Sequence, residues 1–270
     1  MPWVAISFLE RPFRLFLIAQ SKNIGIILDN DSITTTFASR INQMGQLTFK
    51  LNEKLYLKDP QATHLGQRVV QKSIEMIDIL GFEQFTFKKL AAEVSSTEPS
   101  IYRYFENKHR LLHYLTAWYW SWLDYRIDKA TSNLPSAEQK LRAALQVICE
   151  EKKYDPTFDH VNEEALHRIV INELEKTYLT KWVDTDNQAG LFSGFKALTK
   201  KISGFIGEIA PAYHFPNSLV ATVMLAANEQ MFFIQHLPTL SNIEKNQSIA
   251  EQHKQLGGFI EGIVFGTIRQ

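Results

Sequence analysis

The pattern of apolar and polar positions predicts helices from about residue 64 onward. In the first such segment Val69, Ile74, Ile77 and Leu80 form one apolar stripe at helical spacing, and Gly81 follows as a helix-terminating residue. Longer helices are predicted over residues 107–130, 136–154, 162–183, 188–209, 217–236 and 247–268. No alternation of strands and helices appears after residue 60, so the pattern predicts an all-α fold.

Residues 1–60 do not follow this pattern. Short β-like runs alternate with polar turns, no single period persists, and Asp59-Pro60 closes the region with a turn signal. Such a segment could be a small β element, a disordered arm, or sequence outside the natural protein. Met44 stands just before the pattern becomes interpretable, so whether residues 1–43 belong to the natural protein stays open. We expect residues 1–60 to be irregular, and either poorly ordered or non-native.

Two short helices separated by a polar break are predicted between residues 85 and 107. Thr86 is placed to cap the first helix and Thr97 the second, with Ser95-Ser96 between them. This is the helix-turn-helix arrangement, in which the second helix enters the major groove of DNA. If Ile101 and Phe105 point inward, one outward stripe at helical spacing carries Ser100, Arg103, Tyr104 and Asn107.

The next predicted helix opens on three basic residues, Lys108, His109 and Arg110. Cations are unfavourable at a helix N-terminus because the peptide dipoles leave partial positive charge there. A phosphate group bound at this position would satisfy the free amides and the cations together. We therefore expect an anion from outside the chain, such as a DNA phosphate, at this helix start.

One run of residues carries a resemblance to a known family. It comprises Gly81-Phe82, Thr86, Leu90-Ala91, Thr97, Ile101-Tyr102-Arg103-Tyr104-Phe105-Glu106-Asn107-Lys108 and Leu111. In these residues the stretch from about Leu65 to Leu112 resembles the N-terminal domain of TetR-family transcriptional regulators. The resemblance implies a three-helix DNA-binding domain followed by a helical domain that binds an effector and dimerises. It predicts three parts: an extension over 1–60, a helix-turn-helix domain over 61–110 and a ligand-binding and dimerisation domain over 111–270.

The resemblance also implies roles for individual residues. Positions that usually touch phosphates in the family correspond to Thr86, Thr97, Tyr102, Tyr104 and Lys108, and positions that often read bases correspond to Ser100 and Arg103. Two positions depart from the family pattern. Ser95 stands where a glycine is usual in the turn, so the turn must tolerate a Cβ or relax. Glu98 stands where a Lys or Arg is common, and its carboxylate repels DNA.

The larger predicted domain offers an aromatic face on its first helix, formed by Trp118, Trp122 and Tyr125. These side chains are candidates for an effector pocket, although core packing is the interpretation that we favour. The last two helices have broad apolar faces, and Gly258, Gly262 and Gly266 recur at four-residue spacing in the final one. Paired with their copies, these helices would form a four-helix homodimer interface.

Composition narrows the function further. Equal numbers of basic and acidic residues, 29 each, argue against a protein that coats nucleic acid, but they allow a local basic patch. One cysteine and no membrane-spanning run fit a cytoplasmic protein. His160, Glu163, Glu164 and His167 share one helical side that could hold a metal, but a solvated first turn is the favoured interpretation.

These observations favour a sequence-specific transcriptional regulator over an enzyme. No catalytic constellation, metal site or cofactor motif can be read, and the expected partners are operator DNA, a second copy of the chain and an unidentified small molecule. We expect a repressor that its effector releases from DNA. The alternative is an all-α enzyme or a protein-interaction adaptor whose helix-turn-helix is only structural.

Overall fold

The computed structural model describes residues 48–158 and 160–269, and within these ranges the chain is helical and has no strand. The small N-terminal domain comprises α1 (His64–Gln84), α2 (Phe87–Glu93) and α3 (Glu98–Tyr102). The larger body comprises α4 (Lys108–Thr131), α5 (Ala137–Cys149), α6 (Glu163–Glu173), α7 (Glu175–Tyr178), α8 (Val183–Gln188), α9 (Ser193–Ile209), α10 (Pro216–His236) and α11 (Ile249–Ile268). The all-α fold predicted from the pattern is confirmed. None of the described helices combines the length and the apolar character needed to cross a bilayer.

Side-chain caps fix where several helices begin. Thr63 accepts a hydrogen bond from the Gly66 amide at the start of α1, and Asn107 accepts one of 2.8 Å from the Arg110 amide at the start of α4. At the start of α5, the Ser136 hydroxyl accepts a hydrogen bond of 3.2 Å from the Gln139 amide. Each cap satisfies an amide that has no partner inside its helix, so local sequence is sufficient to set these starts.

Three helix bounds differ from those predicted. The segment 136–154 stops at Cys149, where the buried Lys152 ammonium donates to the carbonyl oxygens of Val147, Ile148 and Glu150 at 2.7–2.9 Å. The segment 162–183 divides into α6, α7 and the first residue of α8, and the break after α7 lies at Leu179, where the backbone leaves the helical region (ψ 56°). The segment 188–209 begins only at Ser193, after Gly190 has adopted a φ of +78°.

α4 forms the centre of the larger body. All ten residues from Leu111 to Trp120 are buried, so this stretch of the helix is enclosed on every side. α5, α6 and α9 pack around it, and α10 packs on α9. Because α4 begins only a few residues after α3, the core of the larger body continues directly into the small domain.

Residues 48–60 are packed against this body. Phe49 lies 5.2 Å from the Trp118 ring and 5.1 Å from the Phe158 ring, and Leu51 and Leu55 are buried. The segment is irregular, as expected, apart from two 3₁₀ turns at Glu53–Leu55 and Pro60–Ala62. Its burial argues against poor order for this part of the extension. The expectations for residues 1–43 concern residues outside the described ranges.

Gly81 lies inside α1, three residues before its end at Gln84, and its non-helical backbone marks a kink there, so it does not terminate the helix as the sequence predicted. Its φ of +75° lies in the left-handed region, which an L side chain adopts at a cost of about 1–2 kcal/mol. We expect Gly81→Ala to lower the free energy of unfolding by about that amount. Gly204→Ala, in α9 where an added Cβ would meet open space, should raise it by about 0.5–1 kcal/mol. Urea unfolding measures the free energy of unfolding of both variants. Equal changes in the two would show that the positive φ of Gly81 does not make its substitution costly.

Candidate nucleic-acid interface and apolar cleft

The two short helices α2 and α3 form the predicted helix-turn-helix. The Thr86 hydroxyl accepts from the Lys89 amide at 3.3 Å and so caps α2. In the turn, the Ser96 amide donates to the Ala91 carbonyl at 2.8 Å, while Leu90, Val94 and Ile101 are buried between the helices. Thr97 precedes α3, but its side chain makes no capping hydrogen bond to that helix. Sequence spacing therefore predicted the Thr86 cap and the inward face, whereas the expected Thr97 cap is not formed.

The turn accommodates a serine where the family pattern has glycine. Ser95 adopts a φ of +50°, in the left-handed region that glycine enters without steric cost. Of the two possibilities raised by the sequence, the turn tolerates the Cβ and does not relax.

An exposed polar surface runs across α2 and α3. Thr86, Thr97, Tyr102 and Arg103 are exposed, and Ser100 is half-buried. The Thr97 and Ser100 hydroxyls lie 2.8 Å apart, so these two predicted contact residues share one hydrogen bond. Lys88 and Lys89 are exposed on α2 and add positive charge to the same small domain. Six of the seven predicted DNA-contact residues are thus at least partly accessible. They are Thr86, Thr97, Ser100, Tyr102, Arg103 and the half-buried Lys108.

Tyr104 is the exception, and its placement on the outward stripe was wrong. Its side chain is buried, and its hydroxyl lies 2.8 Å from the Thr63 hydroxyl at the start of α1. The stripe assumed that helical periodicity continues to Asn107, but α3 ends at Tyr102. Beyond that point the chain turns inward, so the Tyr104 side chain packs inside the small domain.

The cationic start of α4 finds its partners within the chain. The Lys108 ammonium donates to the carbonyl oxygens of Phe82, Glu83 and Phe85 at 3.0, 3.3 and 3.4 Å, and lies 4.6 Å from the centre of the Phe82 ring. Lys108 therefore joins the end of α1 to the start of α4. The cationic helix start does not by itself require an external phosphate, and phosphate binding by Lys108 stays a prediction.

Arg110 also has an internal partner, Asp186 of α8. The guanidinium lies 3.1 Å from one Asp186 oxygen, and the His113 imidazole lies 3.5 Å from the other. Burial of His113 lowers its pKa to about 4, which leaves the ring neutral at pH 7. The His113 ring also contacts Phe192 with a centroid distance of 5.5 Å. Asp186 thereby connects the first turns of α4 with α8.

A second set of polar contacts joins the end of α1 to α6 and α7. The Phe82 amide donates to the Glu173 carboxylate at 3.0 Å, and Lys176 pairs with Glu173 at 2.7 Å and with Glu83 at 2.8 Å. Arg168 forms a bidentate pair with Asp78, with distances of 2.9 and 2.8 Å. Bidentate geometry fixes orientation as well as distance, so these contacts fix the small domain at one angle on the body.

An apolar cleft of about 810 Å³ opens beside the residues that make these contacts. Its wall is mostly apolar and includes Ala117, Trp120, Leu174, Val183, Leu191, Phe192, Phe195, Ala221 and Leu225. Its polar groups include Thr177, Tyr178, Asp184, Asn187, Lys196 and Lys200. This volume is in the range of small-molecule sites, and an apolar wall with few polar groups is their usual character.

The aromatic face on α4 proposed from the sequence, formed by Trp118, Trp122 and Tyr125, does not line this cleft. Trp118 and Trp122 are buried in the core, where the Trp118 ring contacts Phe49 and Phe158, and Tyr125 packs beside them. The favoured interpretation, core packing, is the one that the structure supports. The tryptophan that lines the cleft is Trp120, on another face of the helix. Sequence periodicity could not find it, because α4 is buried on all faces and no apolar stripe marks the cleft.

The histidine and glutamate residues at the start of α6 form no metal site. Among the described residues no group of three or more His, Cys, Asp and Glu side chains is arranged to hold a metal. His167 stacks on Tyr119 at a centroid distance of 5.6 Å, and Glu163 accepts from the Asp155 amide at 3.1 Å. Glu163 is fully buried, and this burial raises the pKa of its carboxyl to about 7. It is not the solvated first-turn residue that the sequence suggested.

Comparison with known sequences identifies the small domain. Residues 73–115 match the sequence model of the family described as "Bacterial regulatory proteins, tetR family". The matched region covers the end of α1, all of α2 and α3, and the first turns of α4. Residues 73–115 are a TetR-family DNA-binding domain. The resemblance seen in the sequence is confirmed, and no curated protein matches the chain.

The likeness in fold extends to the larger body in one solved structure with a TM-score above 0.5. The fatty acid degradation regulator FadR from Bacillus halodurans is 15% identical, with 75% of this chain and 95% of that chain covered at a TM-score of 0.51. The ketosteroid transcriptional regulator KstR2 of Mycobacterium tuberculosis is 11% identical, with 77% and 96% covered at 0.47. AibR in complex with isovaleryl coenzyme A and operator DNA is 12% identical, with 72% and 96% covered at 0.49. At these identities the likeness to FadR shows the fold alone.

The raised pKa of Glu163 predicts a pH dependence of stability. The folded protein holds this proton up to about pH 7, whereas an unfolded chain releases it near pH 4.5. The folded state therefore binds more protons in this window, and the contribution of Glu163 to stability falls as pH rises from about 4.5 to 7. We expect Glu163→Gln to exceed the parent in unfolding free energy above pH 7 by on the order of 1–3 kcal/mol, and by less at pH 5. Urea unfolding at several pH values measures this.

Glu53→Gln, on an exposed 3₁₀ turn, is the control for removing a carboxylate. A difference between Glu163→Gln and the parent that is the same at pH 5 and pH 8 would show that the Glu163 proton does not contribute.

Proposed function

We propose that this protein is a DNA-binding transcriptional regulator that acts as a homodimer and whose DNA affinity responds to a small molecule in the apolar cleft. The observation that carries this proposal is the TetR-family helix-turn-helix, with Thr86, Thr97, Tyr102 and Arg103 exposed on one small domain. A regulator of this kind acts where the DNA is, so we infer a cytoplasmic location. Release from DNA by the ligand would make it a repressor.

Arg103 is the residue proposed to read bases. It follows α3 directly and is exposed, and a guanidinium can pair bidentately with the edge of a guanine in the major groove. Ser100 lies one turn earlier, and its hydroxyl can act as donor or acceptor. Thr86, Thr97 and Tyr102 flank them and are proposed to bind phosphates. These contacts position the domain without reading sequence.

The cleft indicates the chemistry of the ligand. Its wall would bind an apolar chain or ring system, while the Lys196 and Lys200 ammonium groups are exposed at its rim. One of them, Lys196, is hydrogen-bonded to Asn187 of α8. The rim also carries Asp184, so two cations face one carboxylate. We therefore propose an amphipathic ligand with an apolar body and an anionic end.

The surface proposed for the homodimer lies on α10 and α11. A Cβ added at Gly258, Gly262 or Gly266 would meet nothing within 4 Å, and Phe259 beside them is 47% exposed. An open face of small residues with an exposed aromatic side chain allows close approach of a second helix. A second copy of the chain presents the same face, which gives a two-fold interface.

DNA recognition by Arg103 is tested with duplexes selected from a random pool. We expect Arg103→Ala to cost roughly 1–3 kcal/mol on the selected duplex and to change binding to a scrambled duplex little. Lys108→Ala should reduce the log–log salt slope by about 0.9 for each lost phosphate contact per subunit. The control, Lys129→Ala, removes an exposed charge 21 residues further along α4. Parent-like binding by Arg103→Ala would refute the assignment.

Dimerisation is tested by sedimentation. Gly262→Leu should block close packing of α11 and give a monomer at micromolar concentration. Gly207→Leu, at an exposed position of α9 where an added Cβ meets nothing within 4 Å, is the matched control and should stay dimeric. A parent chain that is monomeric with and without DNA would contradict the proposal.

Ligand chemistry is tested with decanoate and decanol, which share an apolar chain and differ in the charged end. We expect decanoate to change the tryptophan fluorescence of the parent protein, because Trp120 lines the cleft, and to bind more tightly than decanol. The double variant Lys196→Ala/Lys200→Ala should lose about fivefold in decanoate affinity, as expected for exposed charge pairs worth about 1 kcal/mol. Lys254→Ala controls for the loss of an exposed charge. Equal affinity of the parent protein for decanoate and decanol would contradict the proposal that the ligand has an anionic end.

A further inference from the structure

The segment immediately before α1 touches both domains. We name residues 48–58 the N-terminal strap. It is anchored to the larger body by Leu51 and Leu55, which are buried, and by the contacts of Phe49 with Trp118 and Phe158. The Tyr56 ring adds an edge contact with Tyr114 at 6.2 Å. The strap is therefore part of the folded core, although the sequence pattern assigned it to an irregular extension.

Asn52 of the strap is hydrogen-bonded to the turn that forms part of the wall of the apolar cleft. The Asn52 side-chain amide donates to the Ala189 carbonyl at 2.9 Å, across 137 residues of sequence. Ala189 opens the turn to Leu191 and Phe192, which line the cleft. Gly190 between them has a φ of +78°, and a Cβ built there would lie 3.0 Å from the Asn52 amide nitrogen. The strap and this turn are thus in close contact.

The other end holds the chain directly after the proposed recognition helix. The Leu57 amide donates to the Tyr104 carbonyl at 2.8 Å. The Lys58 ammonium lies 5.6 Å above the Tyr104 ring, and Thr63 lies at hydrogen-bond distance from the Tyr104 hydroxyl. Tyr104 follows Arg103, the residue proposed to read bases. The main chain and the side chain of Tyr104 are both fixed by the segment that precedes α1.

We propose that the strap couples the cleft to the recognition helix, with Asn52 and Leu57 as its positioning residues. Five positions separate them in sequence, and the intervening chain contains a 3₁₀ turn and the buried Leu55. Such a short, anchored link transmits a displacement of the turn at 189–192 to Tyr104 and Arg103. A ligand that moves Phe192 thereby changes the position of α3. This inference rests on the DNA-binding function proposed above.

The strap is distinct from the polar contacts made by Asp186 and Glu173. Those contacts fix the end of α1 and the first turns of α4, whereas the strap contacts the C-terminal side of α3. Asn52 itself contributes no atom to the pairs of Arg110 with Asp186 and of Lys176 with Glu173. The two connections can therefore be separated by mutation.

Asn52→Asp is the variant that breaks one contact of the strap. The Asn52 side-chain oxygen accepts from the Lys54 amide at 2.9 Å, and an aspartate keeps this acceptor. It replaces the amide donor by a carboxylate oxygen that repels the Ala189 carbonyl. The matched control is Lys54→Ala, which changes an exposed side chain on the same 3₁₀ turn.

Amide hydrogen exchange of the full-length protein, without DNA or ligand, tests the coupling directly. We expect Asn52→Asp to increase deuterium uptake in peptides from residues 186–195 and also in peptides from residues 97–107, with uptake in α5 unchanged. Lys54→Ala should change neither region. An increase confined to residues 186–195, no increase in either region, or the same pattern in the control would overturn the proposal.

DNA titration separates failure of the coupling from failure of the proposed function. On a duplex selected with the parent protein, Asn52→Asp should weaken binding by about two- to thirtyfold, the range seen for residues that modulate coupling without touching a ligand. Parent-like binding of that duplex by Asn52→Asp would contradict the strap and leave the regulator function intact. If no duplex can be selected with the parent, the function fails, and the exchange experiment still decides whether the strap links the two regions.

Discussion

The enclosure of α4 on all sides is the constraint on which the rest of the structure depends. Ten consecutive buried residues, from Leu111 to Trp120, cannot be covered by one neighbouring helix. α5, α6, α9 and the strap are all needed to cover them, and full burial of each large apolar side chain contributes about 1.5–3 kcal/mol. The same helix begins with Lys108 and Arg110, which bind the end of α1 and α8. The helix at the centre of the larger body is therefore joined directly to the DNA-binding domain through its first turn.

The elements that could be predicted from sequence are those set by local chemistry. Thr86, Asn107 and Ser136 satisfy amides within their own first turns, so their positions alone fix helix starts. The inward face of α2 and α3 follows equally from spacing. Tyr104 shows where local chemistry is insufficient: α3 stops after five residues, and a period extrapolated past its end pointed a buried side chain outward.

Long-range pairing explains what the sequence could not show. Lys108 bonds carbonyl oxygens 23 to 26 positions away, and Asn52 bonds one 137 positions away. No pattern of residue types marks such partners in a single sequence. The cleft escaped prediction for a related reason, because Trp120 differs from Trp118 and Trp122 only in which helix packs beside it. Spacing predicted that α4 is rich in aromatic residues, and the tertiary structure determines which of these rings lines the cleft.

The short length of α2 and α3 has a thermal consequence. Helices of seven and five residues are far below the length that is stable alone in water, so their order depends on burial of Leu90, Ile101 and Phe105 against their neighbours. Warming loosens marginal packing before it unfolds a large core. The surface proposed to contact DNA should consequently lose its shape at a temperature below the melting point of the larger body. A warmed cell would then contain intact regulator molecules that no longer occupy their operators.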